Sequence, residues 1–126
     1  MIKLLAVDDE IDVCDFVKSF FEERGFEVFT ALDGMEALRV LHRAKPDIIL
    51  LDVRMQGIDG IETLKRIKEI NKKVKVIMVT AIEDQDKVDE AMKLGAVAYV
   101  TKPLVLETLE STVMLSAREA KNAARK

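Results

Sequence analysis

The sequence is poor in the features that mark secreted and membrane proteins. Cys14 is the single cysteine among 126 residues, which excludes an internal disulfide bridge and fits a reducing compartment. The apolar run 1–7 is too short for a signal peptide, and no later apolar run is long enough to span a bilayer. We therefore expect a cytoplasmic protein without membrane contact.

The chain also has little excess of one sign of charge over the other. The formal net charge of −3 is too small to favour nucleic acid or a membrane surface as a main partner. The one histidine, His42, lies on the polar side of a predicted helix, whereas a phosphohistidine carrier needs its histidine on a helical bundle. No Gly/Ser-rich linker divides the chain, and its length suits one domain.

What the sequence does contain is a regular alternation of two kinds of segment. Five short apolar runs alternate with five stretches in which apolar residues recur at helical spacing. Nearly continuous apolar runs are typical of strands that are buried on both faces. Five consecutive βα units predict an α/β fold, with a parallel sheet flanked by five helices. The predicted strands are Lys3–Val7, Glu27–Ala31, Ile48–Leu51, Val74–Thr80 and Ala98–Thr101.

Several residues mark where the predicted helices begin and end. An aspartate before a helix can accept hydrogen bonds from the free N–H groups of the first turn. A glycine after a helix can adopt the left-handed conformation that ends it. The predicted N-caps are Asp33, Asp59 and Asp84, and the predicted stops are Gly25 and Gly95.

Polar side chains gather at the carboxyl ends of the predicted strands. In an open parallel sheet, ligands bind beyond these ends. Carboxylates follow the first and third strands, a hydroxyl ends the fourth strand, and an ammonium group follows the fifth. The residues are Asp8, Asp9, Glu10, Asp52, Thr80 and Lys102.

This combination of groups has a definite chemistry. Carboxylates that are brought together repel one another, and a hard divalent cation such as Mg²⁺ relieves the repulsion because it prefers carboxylate oxygens. A site with Mg²⁺, an ammonium and a hydroxyl is suited to phosphoryl oxygens. An ionised carboxylate can also act as a nucleophile and form an aspartyl-phosphate. The pattern therefore predicts a Mg²⁺-dependent phosphate acceptor, with Asp52 as the accepting residue.

In order along the chain, these residues resemble the receiver domain of bacterial two-component response regulators. The resemblance covers the chain up to its tail and implies a flavodoxin-like, doubly wound sheet with strand order 2-1-3-4-5. It also implies a phosphorelay switch in signal transduction, not an enzyme, that assists its own phosphorylation and dephosphorylation. The matching pieces are 7–10, 51–55, 59–60, 79–81, 95–96 and 102–103.

The resemblance assigns a role to each residue of the acidic site. Asp52 corresponds to the aspartate that takes a phosphoryl group from the phosphohistidine of a histidine kinase. Asp9, Asp52 and the backbone carbonyl of Arg54 would bind Mg²⁺ directly, and Asp8 would bind it through a water molecule. Lys102 would pair with a phosphoryl oxygen.

Other residues correspond to the switch itself. Thr80 would hydrogen-bond the arriving phosphoryl group, and Tyr99 would change orientation on activation. The output surface would comprise helix four, strand five and helix five. Arg54 and Ile82 occupy positions that tune phosphoryl lifetime, and their bulk predicts hindrance of an attacking water. The resemblance also implies that the Lys102–Pro103 peptide bond is cis.

Three alternative functions use the same architecture. A small phosphatase or phosphotransferase with an aspartate nucleophile would carry two acids, two residues apart, after the first strand. A nucleotide or flavin binder would carry a Gly- or Ser/Thr-rich loop there, where this chain has an acidic run. A receiver used only for interaction would not need the intact set of Asp9, Asp52, Thr80 and Lys102.

The expected domain layout is a receiver domain over residues 1–120, with 121–126 as a basic helical tail or the start of a linker. The chain is then either a single-domain regulator or part of a longer protein. Expected partners are a sensor histidine kinase or phosphotransfer protein and a downstream protein effector or output domain, with no nucleic-acid contact by this chain. Phosphorylated copies are expected to pair through the surface from helix four to helix five.

Overall fold

The computed structural model describes residues 1–55, 57–81 and 84–124. Within these residues, five strands alternate with five helices. The strands are β1 Lys3–Val7, β2 Glu27–Ala31, β3 Ile48–Asp52, β4 Lys75–Thr80 and β5 Ala98–Thr101. The helices are α1 Ile11–Glu22, α2 Gly34–Ala44, α3 Gly60–Ile70, α4 Asp86–Lys93 and α5 Leu106–Ala124.

The strands form one parallel sheet in the order β2-β1-β3-β4-β5, which confirms the expected fold. All five residues of β3 are buried, because this strand lies at the centre of the sheet and is covered on both faces. A strand with two covered faces has no polar side, and this explains why the apolar runs of the sequence are nearly continuous.

Alternate residues of each central strand enter two separate cores. In β1, Leu5 and Val7 face the core beneath α2, α3 and α4, whereas Leu4 and Ala6 face the core beneath α1 and α5. Phe21 of α1 is completely buried in the second core. The two-residue period of a strand divides its side chains in this way, and together the two cores fix the position of every strand end.

Four of the predicted helix boundaries are confirmed, and one is wrong. The side chains of Asp33 and Asp59 each accept a hydrogen bond, at 2.8 Å, from the backbone N–H three residues later. Gly25 and Gly95 both have positive φ angles, of 88° and 108°, after α1 and α4. Asp84 does not cap α4, which begins at Asp86 without a side-chain cap; its carboxylate pairs instead with an arginine of the neighbouring loop.

Helix α5 continues to Ala124, so the basic segment after residue 120 is helical as far as the structure describes it. Among the described residues, none of the helices has the combination of length and apolar character needed to cross a bilayer.

Candidate functional site

Asp8 and Asp9 stand at the carboxyl end of β1, in different environments. Asp8 is buried, and its Oδ1 accepts a hydrogen bond from the N–H of Glu10 at 2.9 Å. Its own N–H donates to the carbonyl of Ala31 at 3.1 Å, which ties it to the end of β2. Asp9 and Glu10 are exposed. One carboxylate is therefore fixed in place and two remain accessible from solvent.

Asp52 is the last residue of β3 and is only 5% exposed. Its Oδ1 accepts a hydrogen bond from the N–H of Arg54 at 3.1 Å, and its Oδ2 accepts one from Nζ of Lys102 at 2.9 Å. Burial raises the pKa of the Asp52 carboxyl, and Lys102 only partly offsets this effect. A buried carboxylate whose basicity is increased, and which faces the edge where ligands bind, is well suited to be a nucleophile.

Lys102 follows β5 and brings its ammonium group among three carboxylates. Nζ lies 2.9 Å from Asp52, 3.3 Å from Asp8 and 3.8 Å from Glu10. Burial lowers the pKa of Lys102, but the hydrogen bond and the negative charge of Asp52, together with the charge of Asp8, outweigh it, so the net pKa is raised. The cation thus links β1, β3 and β5 at a single point.

Thr80 and Tyr99 lie where the sequence places them, at the end of β4 and within β5. Thr80 is completely buried, and its hydroxyl donates to the carbonyl of Ala81 at 3.1 Å. Tyr99 is 45% exposed and pairs in register with Met78. The described contacts therefore do not join the Thr80 hydroxyl to Asp52, and a hydrogen bond to a phosphoryl group would require this hydroxyl to turn.

The acidic residues after β1 have the donor atoms that a hard cation needs. Ligand oxygens of Asp8, Asp9 and Glu10 all lie within 4.8 Å of one another. Mg²⁺ favours carboxylate oxygens and keeps several water molecules, so an accessible carboxylate cluster beside a buried acceptor fits this ion. The sequence places Glu10 in the acidic run after the first strand but assigns it no role, whereas in the structure its carboxylate lies 3.8 Å from Nζ of Lys102.

Arg54 and Asp84 form a further contact at this edge, one that sequence reasoning missed. Nε of Arg54 lies 2.6 Å from Oδ2 of Asp84, and Nη2 donates to Oδ1 at 3.1 Å. Oδ2 of Asp84 accepts no hydrogen bond from the described residues, so its contact with Nε of Arg54 is an ion pair only. Ile82, which was predicted to tune phosphoryl lifetime, lies outside the described residues. The Lys102–Pro103 bond is cis, as expected.

A cleft of about 1110 Å³ lies at the opposite edge of the sheet, away from Asp52. Its walls include Lys45, Lys72 and Lys73 but none of the acidic residues described above. This cleft therefore does not coincide with the charged groups around Asp52.

Comparison with known proteins agrees with this geometry. The family model described as the response regulator receiver domain matches residues 4–114. The chain belongs to this receiver-domain family. Receiver domains are generally non-enzymatic switches that bind Mg²⁺ in an acidic pocket, and this receiver is accordingly a phosphorylation-dependent signalling switch.

Three similar proteins show the range of the family. The receiver is 35% identical to sporulation initiation phosphotransferase F of Bacillus subtilis over 111 residues, which cover 88% of this chain and 90% of that protein. It is 38% identical to transcriptional regulatory protein ZraR of Klebsiella oxytoca, covering 89% of this chain but 25% of ZraR. The structure of chemotaxis protein CheY4 of Vibrio cholerae matches with a TM-score of 0.86 and 35% identity, covering 92% of this chain and 98% of that one.

Proposed function

We propose that this receiver accepts a phosphoryl group on Asp52 from a phosphohistidine, in a Mg²⁺-dependent reaction. The observation that carries the proposal is the position of Asp52. It is a buried carboxylate at the end of a central strand, with Oδ2 2.9 Å from the ammonium group of Lys102, which also lies 3.3 Å from Asp8 of the acidic run after β1. In the reaction, a carboxylate oxygen of Asp52 attacks phosphorus, the P–N bond of the donor breaks, and its electron pair returns to the imidazole.

The chain's own residues support this transfer by charge and position. Asp9, Asp52 and the carbonyl of Arg54 would hold Mg²⁺, with Asp8 acting through water, and the ion would neutralise charge on the phosphoryl oxygens. Lys102 already contacts Oδ2 of Asp52, so it needs only a small displacement to pair with a phosphoryl oxygen.

The change is then passed to a surface made by α4, β5 and α5. We propose that Thr80 turns from the carbonyl of Ala81 toward the phosphoryl group and that Tyr99 reorients with it. The described residues of these elements include several apolar side chains that are at least 41% exposed, as a partner-binding surface requires. They are Met92, Tyr99, Leu106, Met114 and Leu115.

Membership of the family supports a proposal for the partners. We propose a sensor histidine kinase or phosphotransfer protein as the donor, a protein effector or an output domain as the receiver's target, and pairing of phosphorylated copies through the output surface. We also propose a cytoplasmic location, typical of response regulators, and a domain boundary near residue 120. Arg54 and Ile82 stay predicted tuners of phosphoryl lifetime.

Intact-mass measurement tests the proposal directly. The protein is incubated with Mg²⁺ and acetyl phosphate, and we expect a single phosphoryl adduct that is absent in Asp52→Asn and when Mg²⁺ is chelated. Asp47→Asn is the matched control, because this carboxylate lies at the opposite edge of the sheet, where it accepts a hydrogen bond from the backbone N–H of Lys3. No adduct on the wild type at any Mg²⁺ concentration would contradict the proposal, whereas turnover of an unrelated phosphate ester would indicate an enzyme.

A further inference from the structure

A further charged region lies at the amino ends of β3, β4 and β5, at the edge of the sheet opposite Asp52. The cleft of about 1110 Å³ at this edge is large enough for a small ligand. Asp47 precedes β3, Lys75 begins β4 and Val97 precedes β5, and the last turns of α5 border the cleft. Its cationic walls come from five lysines, Lys45, Lys68, Lys72, Lys73 and Lys75.

This cleft is positive although the chain as a whole is acidic. Its described walls carry five lysines and two carboxylates, a net charge of +3, whereas the whole chain has a net charge of −3. Both carboxylates already have a partner. Oδ2 of Asp47 accepts a hydrogen bond from the N–H of Lys3 at 2.9 Å, and Oε2 of Glu119 lies 3.9 Å from Nζ of Lys75. Cations gathered in a concave surface attract anions to it.

Lys68 is held in place at the wall of the cleft. Its Nζ donates to the carbonyls of Val74 at 2.7 Å and Lys72 at 3.2 Å, and these bonds use two of the three N–H donors of an ammonium group. Burial lowers the pKa of Lys68, and the positive charge of Lys75 lowers it further. The fold therefore keeps cations close together, and an anion bound beside them would relieve their repulsion.

The helix dipole explains only some of these lysines. A cation in the last turn of a helix interacts favourably with the carbonyl groups at its end, and this effect accounts for Lys68 in the last turn of α3. The effect falls off beyond the last turn. It does not account for Lys72 and Lys73, which lie beyond the C-cap Asn71 and are both exposed.

The residues that line the cleft indicate the kind of anion. Its described lining contains neither arginine nor an aromatic residue. Arginine is favoured where a planar carboxylate or a nucleic acid is recognised, and aromatic rings stack on nucleobases, whereas lysine binds phosphate as a point charge. We infer that this cleft is a binding site for a small polyphosphate anion. The site is separate from Asp52, so the inference does not depend on the proposed function.

Calorimetric titration with sodium tripolyphosphate tests the inference. The whole chain is used in about 0.1 M NaCl, with Mg²⁺ chelated so that the metal cannot draw the ligand to the acidic site. We expect one saturable site with a Kd below about 1 mM, weakened at higher salt. The double variant Lys72→Gln with Lys73→Gln should bind at least about tenfold more weakly, while its Tm stays within about 3 °C of the wild type.

A matched control removes the same amount of charge elsewhere. Lys18 and Lys65 are exposed lysines of α1 and α3 that do not line the cleft, so Lys18→Gln with Lys65→Gln should bind within about twofold of the wild type. NMR spectra locate the ligand independently. The amide signals of Lys72 and Lys73 should shift, and the pKa of Lys68 should rise, because a bound anion offsets the charge of Lys75.

Two further probes define the ligand. ATP carries the same phosphate chain on a nucleoside, and without an aromatic ring in the described lining we expect it to bind no more tightly than tripolyphosphate. Tighter binding of ATP would support the phosphate site and identify its ligand as a nucleotide. A hexaglutamate peptide offers carboxylates instead and should bind at least about fivefold more weakly; tighter binding of this peptide would overturn the assignment to phosphate.

Three other results would overturn the inference. They are no binding of tripolyphosphate at about 10 mM, equal affinity of the two double variants, and NMR shifts confined to residues around Asp52 rather than around the cleft.

Discussion

Replacing Gly60 by alanine should disturb the backbone directly beneath Asp52. An added Cβ would overlap the carbonyl oxygen of Asp52 and lie 2.7 Å from Cα and 2.9 Å from the carbonyl oxygen of Val53. These are all main-chain atoms, so no side-chain rotation can relieve the overlap. The N–H of Gly60 also donates to the carbonyl of Val53 at 2.8 Å, which holds the two segments together.

The expected cost follows from two opposing effects. Overpacking in a rigid interior costs about 1–3 kcal/mol, whereas alanine in place of glycine gains up to about 1 kcal/mol inside a helix. Because the backbone itself must move, we expect Gly60→Ala to lose about 2 kcal/mol of unfolding free energy, which lowers Tm by roughly 5–10 °C. Displacement of the acceptor should also slow loading from acetyl phosphate at least tenfold.

Gly34→Ala provides a matched comparison. Gly34 begins α2 just after the N-cap Asp33, as Gly60 begins α3 just after Asp59. Its added Cβ would meet side-chain atoms of Thr63 and Ile58 rather than the backbone of the acceptor strand. We expect Gly34→Ala to reduce Tm but to leave the loading rate within about twofold of the wild type. Equal loading rates for Gly60→Ala and the wild type would refute the reasoning.

Three other predictions test separate parts of the structure. Burial raises the pKa of Cys14 to about 11, so native protein should react slowly with a thiol reagent at pH 8. Compared with Cys14→Ala, it should lose about 2 kcal/mol of unfolding free energy between pH 9 and 11, because the thiol of the unfolded chain ionises near pH 9. Lys102→Met removes the ammonium beside Asp52 and should increase Mg²⁺ affinity several-fold in a calorimetric titration while slowing phosphorylation; unchanged Mg²⁺ affinity would contradict its role in the charge balance. Arg24 contacts Glu110 at 2.6 Å, and its guanidinium lies 3.5 Å from the centroid of the Phe20 ring. In urea unfolding, Arg24→Ala should therefore lower the free energy of unfolding by about 1–2 kcal/mol and Glu110→Gln by less than about 1 kcal/mol. Equal losses would exclude a separate contribution from the ring.

The sequence predicted the framework well because a framework depends on local patterns. The ends of the strands depend on burial, which the spacing of apolar residues indicates. The ends of the helices depend on backbone conformation and capping, which Asp33, Asp59 and Gly95 indicate. The convergence of acidic and basic groups then followed from the topology of a parallel sheet. The close contact of Lys102 with Asp52 is a consequence of this framework.

Loop side chains could not be predicted in the same way. Asp84 has the composition of a helix cap, and only the path of two loops in space decides that it pairs with Arg54, thirty positions away. The orientation of the Thr80 hydroxyl likewise depends on which acceptor is nearest once β4 ends. Periodicity reports which face of an element is buried, but it does not report where a loop directs a polar group.

The arrangement of fixed backbone and adjustable side chains supports the proposal that a charge added to Asp52 changes the proposed output surface. The backbone around Asp52 is held on two sides, because the N–H of Val53 donates to β4 at 2.9 Å and the start of α3 donates to Val53 at 2.8 Å. The backbone of the proposed acceptor is therefore restrained when Asp52 gains charge, and we expect neighbouring side chains to adjust instead. Thr80 precedes the loop to α4 and Lys102 follows β5, so the groups that we expect to move are attached to the proposed output elements. If the backbone around Asp52 were held less firmly, we expect that it would itself move when charge is added, and that the conformational change at the output surface would be smaller.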